Sequence, residues 1–383
     1  MVKVSRNPVK ETDSPKEEVI SPEQQLTSFL KTNKEDHFNF EEDNIYRVPF
    51  SSLTLNIALG GGITPGAHRA CGLTAGGKTS NCLDHMFHFL SSGEGRRGVY
   101  VKAEGRLSEE MKRRSGIKFT NKSEEWEDGV CFVLESNVYE AIFSLMGELI
   151  RNNPQKKKYF FILDSLDMMA RREDLAKPID EAGKVAGGAL LTSVFLKKAA
   201  AALEKRGHFC WFISQVRDSI KINSYSGPST PRQANASGGH AVEHAGDLVL
   251  EFLPRYQDDV IRENDDKTSK IIGHYAKCKI IKSNNEKYGV EIKYPVKYGR
   301  TGGKSVWIER EVVDLLLGWG LLNRKGAWYS FDATIIKEIE EATGIKVQEQ
   351  IQGINSVYNY LENEPKIVSY LADKFTKLAL SEE

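Results

Sequence analysis

The stretch Gly72–Asn81 reads GLTAGGKTSN and contains a glycine, four further residues and then Gly-Lys-Thr. This matches the pattern G-x-x-x-x-G-K-[ST] of a phosphate-binding loop. The residues before it, HRACG, form a modest strand candidate, and the following SNCLDHMFHFLSS has apolar residues at helical spacing. A strand, a glycine-rich loop and a helix are the context that the motif requires. The sequence therefore predicts a nucleotide site rather than a chance turn.

The residue types of this loop explain its expected chemistry. Glycines let successive backbone N–H groups point at phosphate oxygens, and the N-terminus of the next helix adds positive potential. Lys78 would reach the β- and γ-phosphates, and Thr79 would ligate Mg²⁺. The nucleotide-binding residues predicted in the loop are Gly72, Gly76, Gly77, Lys78, Thr79 and Ser80.

Three polar residues stand at the ends of apolar strand candidates. YFFILDS ends near Asp164, an acidic residue that would hold Mg²⁺ through water beside Thr79. VYVKAEG ends near Glu104, a carboxylate that could orient or deprotonate an attacking water. HFCWFIS is followed by Gln215, whose amide could sense the γ-phosphate and pass that on to the next loop.

Bulk composition narrows the class of protein. Fifty-three basic and fifty-three acidic residues cancel, so any basic surface must be local. Five widely spaced cysteines form no C-x-x-C pair, which argues against a disulfide framework or a zinc site and fits a reducing cytosol. The start has no apolar core of a signal peptide, and no run reaches about 18 apolar residues, so we expect a cytoplasmic protein without a membrane span.

The 383 residues divide into four predicted segments. They are a disordered tail (1–20), a segment with an N-terminal helix (21–45), a core (46–331) and a small helical C-terminal lobe (332–383). In the helix, Ser21 is the predicted N-cap and Pro22 the first residue. The core alternates buried apolar runs with helical segments, which favours an α/β fold with a mainly parallel twisted sheet. Trp328 and Tyr329 are expected to pack at the edge of the lobe.

A candidate nucleic-acid loop follows Gln215. The stretch DSIKINSYSGPSTPRQANASGG is rich in Ser, Asn, Gly and Pro, and a structureless loop of about 20 residues inside a compact domain is usually functional or disordered. Arg217, Lys221 and Arg232 supply charge for phosphates, and Tyr225 could stack on a base. On composition alone, a plain mobile surface loop remains the alternative reading.

From about Phe50 to Phe331 the chain resembles the bacterial RecA-type recombinases. The segments that carry the resemblance occur in the order of that family: FSSLTLNIALGGGITPG, GLTAGGKTS, VYVKAEGRLSEEMKRRSGI, FFILDSLDMM, WFISQVR, ASGGHAVEHAGDLVLEF and KGAWYSF. NIALGGGI and the KTSN ending of the loop are most similar to the phage branch, which includes UvsX. Because GKT is common to many ATPases, the specific parts are the ordered set and its two ends, LTLNIALGGGI and KGAWYSF.

The resemblance implies a RecA-like P-loop ATPase core that uses ATP and Mg²⁺. It also implies a helical homo-oligomeric filament on single-stranded DNA, which exchanges strands with homologous double-stranded DNA and works with mediator and single-strand-binding proteins. Glu104 matches the family's water-activating glutamate, and Gln215 matches its switch glutamine. Lys282 matches a basic residue that reaches across to the neighbouring protomer's ATP, and the segment 21–45 would dock on an adjacent protomer.

The resemblance further places a first DNA-binding loop near Arg171–Lys184 and a second from Val216 to about Ser237. The DNA-binding candidates are Arg171, Arg172, Arg217, Lys221, Tyr225, Arg232, Gly238 and Gly239. Glu173 and Asp174 follow Arg171 and Arg172 directly and could neutralise them.

Several positions depart from the family pattern. Leu73–Gly76 replaces Pro-Glu-Ser-Ser, Lys102 replaces the Asp before Ala-Glu, and Asn284 aligns with the second basic residue that reaches across. Met111 aligns near an adenine-stacking Tyr, and the long acidic tail of many relatives is reduced to Ser381–Glu383.

Two alternative functions stay open at this point. One is a hexameric replicative helicase built on the same core, against which LTLNIALGGG and GAWYSF argue. The other is a regulatory paralogue that binds ATP and DNA but hydrolyses poorly, which Leu73–Gly76 and Asn284 keep open.

Overall fold

The computed structural model describes residues 21–41, 44, 46–105, 107–178, 187–217, 235–236, 239–264, 266–284 and 287–381. For residues 35, 216–217, 235–236, 239–241 and 381 it describes the backbone alone. The predicted disordered tail (1–20) lies outside these ranges.

Helices occur along the whole described chain. They are α1 (Pro22–Thr32), α2 (Leu53–Ala58), α3 (Lys78–Ser91), α4 (Glu109–Ser115), α5 (Tyr139–Arg151), α6 (Arg172–Leu175), α7 (Gly187–Lys205), α8 (Gly239–Ala245), α9 (Ile308–Gly318), α10 (Ala333–Thr343), α11 (Ile354–Asn363) and α12 (Pro365–Ser381). Within the ranges given above, none of these helices has the length and apolar character needed to cross a membrane.

Twelve of the described strands precede α9, and the last three form a small separate sheet. They are β1 (Gly66–Gly72), β2 (Arg96–Lys102), β3 (Lys118–Thr120), β4 (Val130–Leu134), β5 (Lys158–Asp164), β6 (Phe209–Ile213), β7 (Val216–Arg217), β8 (Asn235–Ala236), β9 (Leu248–Phe252), β10 (Val260–Arg262), β11 (Ile271–Lys282), β12 (Glu291–Lys297), β13 (Leu322–Lys325), β14 (Trp328–Phe331) and β15 (Gln350–Gln352).

The strand order of the large sheet decides where the site lies. Among the described residues, ten strands form one sheet in the order β10-β11-β9-β1-β6-β5-β2-β4-β3, with β12 paired to β11. All neighbours from β9 to β3 are parallel, whereas β11 is antiparallel to β9, β10 and β12. The expected mainly parallel α/β core is confirmed. Because β1, β6, β5 and β2 are adjacent and parallel, their carboxyl ends meet at one edge.

The central strands are buried on both faces, as their continuous apolar runs predict. Every residue of β6 is buried, and so is every residue of β5 after Lys158. Phe160, Phe209 and Trp211 are fully buried and form the middle of a core that also takes residues from α3 and β9. Packing of these apolar side chains therefore holds the sheet against its helices. The polar residues predicted for the site lie at the ends of the strands.

The N-terminal segment contains the predicted helix. α1 begins with a capping box, in which the Gln24 backbone N–H donates to Ser21 Oγ at 3.3 Å and the Ser21 N–H donates to Gln24 Oε1 at 2.9 Å. Pro22 is its first residue, as predicted. No residue of α1 is buried, and Leu26 and Phe29 are about 60 % exposed, at 59 % and 61 %.

A second hydrophobic cluster underlies the C-terminal part of the chain. It is formed mainly by residues of α9–α12 and β13–β15, together with Leu53 of α2 and Ile261 of β10, and thus begins before residue 332. Tyr329 is buried in it, but Trp328 is 47 % exposed, so the expectation of core packing is wrong for Trp328. The reason is the strand alternation of β14, which turns Tyr329 and Phe331 inward and Trp328 outward.

A buried carboxylate joins this C-terminal cluster to the core. Glu311 of α9 is 3 % exposed and accepts hydrogen bonds from Ser52 Oγ at 2.8 Å and from the backbone N–H groups of Leu53 and Thr54 at 3.1 Å. These N–H groups belong to the first turn of α2, where a helix has donors without intrahelical partners. Glu311 thus caps a helix from which it is 257 to 259 residues distant in sequence.

Replacing Glu311 by alanine is therefore expected to lower the free energy of unfolding by about 3 kcal/mol, because two buried donors and one half-buried donor lose their acceptor. Urea unfolding followed by circular dichroism measures this change. The control is Glu341→Ala, which removes an exposed carboxylate 3.8 Å from Lys337 and is expected to change stability by less than ~0.5 kcal/mol. Equal stabilities of the two variants would contradict the capping role.

Candidate nucleotide site

The glycine-rich loop connects β1 to α3 at the carboxyl edge of the sheet. Gly77 is the residue before α3 and has a φ of 104°, which side-chain-bearing residues rarely adopt. A Cβ atom on Gly72 would lie 2.2 Å from the Phe252 carbonyl oxygen of neighbouring β9, so only glycine fits there. The loop backbone therefore lies directly against the sheet, and the N-terminus of the 14-residue α3 opens beside it.

Lys78 lies at the start of α3 and folds over the loop. Its Nζ donates to the carbonyl oxygens of Gly72 at 2.9 Å and Leu73 at 2.8 Å. Burial lowers the pKa of Lys78, and the nearby Asp164 carboxylate is the largest charge that opposes this shift. The ammonium is thus held at the mouth of the loop, where the sequence places the phosphates.

Asp164 at the end of β5 lies beside Thr79. Its Oδ2 atom accepts hydrogen bonds from Thr79 Oγ1 at 2.7 Å and from the Tyr100 hydroxyl at 2.6 Å. Burial raises the pKa of Tyr100, and the Asp164 carboxylate raises it further, so this phenol stays a neutral donor. Tyr100 was not predicted from sequence, although a tyrosine in the buried part of a strand usually needs a partner for its hydroxyl.

The donor set at this point fits Mg²⁺. Among the described residues there is no cluster of three or more His, Cys, Asp or Glu side chains that could hold a metal ion by themselves. Mg²⁺ commonly takes one or two protein ligands and completes its octahedron with water and substrate phosphates. Thr79 Oγ1 and the Asp164 carboxylate, 2.7 Å apart, supply such a pair at the phosphate loop.

Glu104 lies at the same edge, two residues after β2. Its backbone N–H donates to the Asp164 carbonyl at 3.1 Å, which fixes it beside the end of β5. Its carboxylate accepts from Ser165 Oγ at 3.0 Å and from Gln215 Nε2 at 3.4 Å. The structure thus brings together Glu104, Asp164 and Gln215, which the sequence predicted from three separate strand ends.

The cavity beside the loop has a volume of about 300 Å³ and extends away from the phosphate end. Ser80, Gly76 and Gly77 line it at the loop, and Met111, Arg114, His274, Val296 and Val306 line its other end. Burial lowers the pKa of His274 to about 4, and the positive charges of Arg255 and Arg114 act in the same direction. This histidine is therefore neutral at physiological pH, and the far end of the cavity combines apolar groups with hydrogen-bonding groups.

The residues predicted to bind DNA lie in different elements of the fold, and some of them lie outside the described residues. Arg171 makes two hydrogen bonds of 2.7 Å to Asp174, so the neutralisation considered from the sequence occurs. Arg172 begins α6, Arg217 lies in β7 and Gly239 begins α8. Lys221, Tyr225, Arg232 and Gly238 lie outside the described residues, as does most of the second predicted loop.

Lys282 ends β11 and donates to the carbonyl oxygens of His244 at 2.7 Å and Glu243 at 3.2 Å, near the C-terminus of α8. Asn284, which aligns with the second basic residue, lies beside Asp247, where its side chain opposes the rise that burial causes in the pKa of that carboxyl group. Lys102, which replaces an aspartate, pairs with Glu135 at 2.8 Å. These two departures from the family pattern therefore have local partners within this protomer.

Besides Tyr100, sequence reasoning missed a second residue that contacts the site. Asp167, three residues after β5, accepts a hydrogen bond from the Gln215 backbone N–H at 2.6 Å. Its sequence signal is weak, because the contact joins residues 48 positions apart and an Asp after a strand is commonly a turn former.

A phosphate loop between β1 and α3, with Thr79 and Asp164 beside it on a parallel sheet, defines a P-loop ATPase core. No family model matches the chain. The chain is nevertheless similar over most of its length to curated RecA proteins. It is 26 % identical to that of Oleidesulfovibrio alaskensis over 314 residues, which are 80 % of this chain and 79 % of the relative. It is 25 % identical to that of Petrotoga mobilis over 338 residues (86 % of this chain, 79 % of the relative) and 24 % identical to that of Cytophaga hutchinsonii over 299 residues (77 % of this chain, 75 % of the relative). These similarities support the RecA family, and the fold is a RecA-like α/β core.

Proposed function

We propose that this chain is an ATP-dependent DNA recombinase that polymerises on single-stranded DNA and exchanges it into a homologous duplex. The observation that carries the proposal is the junction at the sheet edge, where Glu104 lies between Ser165 at 3.0 Å and Gln215 at 3.4 Å. Gln215 directly precedes the predicted second DNA-binding loop. One cluster of side chains thus links the phosphate site to the loop that would touch DNA.

The residues around the loop suit ATP hydrolysis. Backbone N–H groups of Gly76–Lys78 and the N-terminus of α3 would hold the phosphates, with the Lys78 ammonium on the β- and γ-phosphates. Thr79 and Asp164 would hold Mg²⁺, which would neutralise negative charge on the phosphates. Glu104 would orient the attacking water and accept its proton, because it is the carboxylate next to this group at the sheet edge.

Gln215 would couple the identity of the bound nucleotide, ATP or ADP, to the conformation of the second predicted DNA-binding loop. Its side-chain amide donates to Glu104, so a γ-phosphate that competes for either group would shift the amide and the chain that follows it. ATP would then order the loop for DNA binding, and hydrolysis would release it. The contacts of this loop with DNA would be mainly to the phosphates of the DNA backbone. DNA binding would therefore be largely independent of the DNA sequence and would weaken with increasing salt concentration.

The assembly and the origin of the chain are parts of the same proposal. We propose a helical filament in which ATP lies between protomers and Lys282 reaches the neighbour's nucleotide, with α1 docking on the adjacent protomer. Mediator and single-strand-binding proteins would act on that filament. NIALGGGI and KTSN favour the UvsX-like phage branch, and the protein would then work in the cytoplasm of the host cell.

The deciding experiment measures joint-molecule formation between a single strand and homologous supercoiled duplex, with ATP and Mg²⁺. Product that requires both homology and ATP is expected. Without product, electron microscopy of the protein with single-stranded DNA and ATP separates the alternatives. Closed rings with duplex unwinding would replace the proposal by a helicase, and bound DNA with no ATP turnover would replace it by a regulatory paralogue.

Replacing Gln215 by alanine is expected to remove the difference in DNA affinity between the ATP and ADP states, because the amide that contacts Glu104 is lost. Fluorescence anisotropy of labelled single-stranded DNA, with a non-hydrolysable ATP analogue and with ADP, measures the ratio of the two affinities. Gln352→Ala, which removes an exposed amide on β15, is the matched control. A variant that still binds DNA more tightly with the ATP analogue would refute the switch role.

A further inference from the structure

Gln215 is held at two points, one on its side chain and one on its main chain. The side-chain amide donates to Glu104 at 3.4 Å, and the backbone N–H donates to Asp167 Oδ2 at 2.6 Å. Both acceptors are carboxylates, and the main-chain contact is the shorter of the two, which makes it the stronger hydrogen bond. The other Asp167 oxygen, Oδ1, is buried and has no hydrogen-bond partner.

The hydrogen bond between Asp167 and the Gln215 backbone lies where the chain leaves the large sheet. The residue before Gln215, Ser214, still belongs to the sheet edge, since its N–H donates to the Ala70 carbonyl at 3.0 Å and its hydroxyl accepts from Arg69 Nε at 3.1 Å. After Gln215 the chain enters β7, which pairs only with β8 among the described strands. Among the described residues, the Asp167 carboxylate is thus the last attachment of the core to the main chain before the predicted second DNA-binding loop.

Asp167 is itself placed between the site and the first predicted DNA-binding loop. It lies in a short 3₁₀ turn, Leu166–Met168, which follows β5 and Ser165 and precedes Arg171 by a few residues. The Tyr139 hydroxyl donates to the Leu166 carbonyl at 3.1 Å and fixes this turn against α5. The turn therefore connects the strand that ends in Asp164 to the starts of both loops.

We propose that Asp167 is a positioning residue that sets the main chain of Gln215, so that the amide reaches Glu104 and the phosphate end of the cavity. This inference rests on the proposed function and adds to it the residue that couples the two DNA loops to each other. A shift of the turn after β5 would move Gln215 with it, because one hydrogen bond of 2.6 Å joins them.

The role of Asp167 is positional rather than electrostatic. Asp164 and Glu104 line the cavity, whereas Asp167 is absent from the described residues that line it. Its charge opposes the lowering of the Lys78 pKa by burial, but less than the charge of Asp164 does. The carboxylate would therefore act on the reaction through the backbone of Gln215 and not by touching the nucleotide or its metal ion.

Two variants separate position from charge. Asp167→Asn keeps an oxygen of the same reach, which can accept the same hydrogen bond without a negative charge, whereas Asp167→Ala removes the acceptor. In Asp167→Ala we expect the ratio of single-strand affinities with an ATP analogue and with ADP to fall about tenfold, as does DNA-stimulated kcat, while KM for ATP changes less than about twofold. Asp167→Asn should restore most of both quantities.

A second measurement reports directly on the hydrogen bond from the Gln215 backbone N–H to Asp167. Hydrogen exchange of the Gln215 amide, read by mass spectrometry with fragmentation, should be about tenfold faster in Asp167→Ala and near the wild-type rate in Asp167→Asn. The control is Asp128→Ala. Asp128 also accepts a backbone N–H, that of Gly95 at 3.0 Å, and pairs with Arg97 and Lys157 away from the nucleotide site. The Asp128→Ala substitution should lower stability while leaving unchanged the ratio of single-strand affinities with the ATP analogue and with ADP.

The outcomes are distinct. An unchanged affinity ratio in Asp167→Ala, or an Asp167→Asn protein as defective as the alanine variant, would overturn the positioning role. A wild-type protein without nucleotide-dependent DNA affinity would instead overturn the proposed function, and with it the part of Asp167 in the switch. In that case the exchange rate of the Gln215 amide still decides whether Asp167 anchors this segment.

Discussion

The Lys78→Ala protein is expected to form no filaments on single-stranded DNA in the presence of ATP. The ammonium is the buried positive charge at the mouth of the phosphate loop, 2.9 Å from the Gly72 carbonyl and 2.8 Å from that of Leu73. Without it, the phosphates would face Asp164 and Glu104 with less compensation, so affinity for ATP should fall by 10²-fold or more, on the order of 3 kcal/mol.

Negative-stain electron microscopy of the protein with single-stranded DNA and ATP measures filament formation, and a fluorescent ATP analogue measures affinity. The control is Lys337→Ala, which removes a lysine whose side chain is 78 % exposed and which is expected to leave both unchanged. Undiminished filaments of Lys78→Ala would show that assembly does not depend on this loop, and would overturn the ATP-dependent part of the proposal.

The Glu104→Ala protein is expected to bind ATP normally but to turn it over about 10²–10⁴ times more slowly, which is the usual contribution of a general base. The carboxylate lies next to Asp164 at the sheet edge and is oriented by Ser165 and Gln215. A filament that binds ATP without hydrolysing it should also stay on DNA longer, because release depends on hydrolysis.

A steady-state ATPase assay with and without single-stranded DNA tests this prediction, together with the affinity for a fluorescent ATP analogue. The chain offers a closely matched control in Glu135, which follows β4 at the same sheet edge but pairs with Lys102 and is 68 % exposed. Glu135→Ala should retain wild-type turnover. Normal turnover by Glu104→Ala would assign the base to another group.

The parts of the site that sequence predicted are those with a local signal. The loop Gly72–Thr79 carries its own pattern, and its strand and helix are its immediate neighbours in the chain. The apolar runs before Asp164, Glu104 and Gln215 indicate buried parallel strands, and parallel strands place their ends at one edge. Adjacency in the sheet was then enough to bring these side chains together.

The parts that sequence did not predict depend on contacts between distant segments. Tyr100 and Asp164 are 64 residues apart, and Glu311 caps α2 across more than 250 residues. No periodicity or spacing reports such pairs, because each residue taken alone fits an ordinary strand or helix. The same holds for Trp328, whose exposure was set by the phase of β14 over the C-terminal cluster.

The sequence by itself determined the phosphate loop, the α/β class and the strand-end residues, because these follow from patterns within about ten neighbouring residues and from the rule that parallel strands end together. Only the tertiary structure decided how Asp164 is held by Tyr100 and how Asp167 anchors Gln215. Hydrogen bonds of this kind require atoms to approach within about 3 Å. That proximity comes from packing the whole sheet and its helices, and no local pattern specifies it.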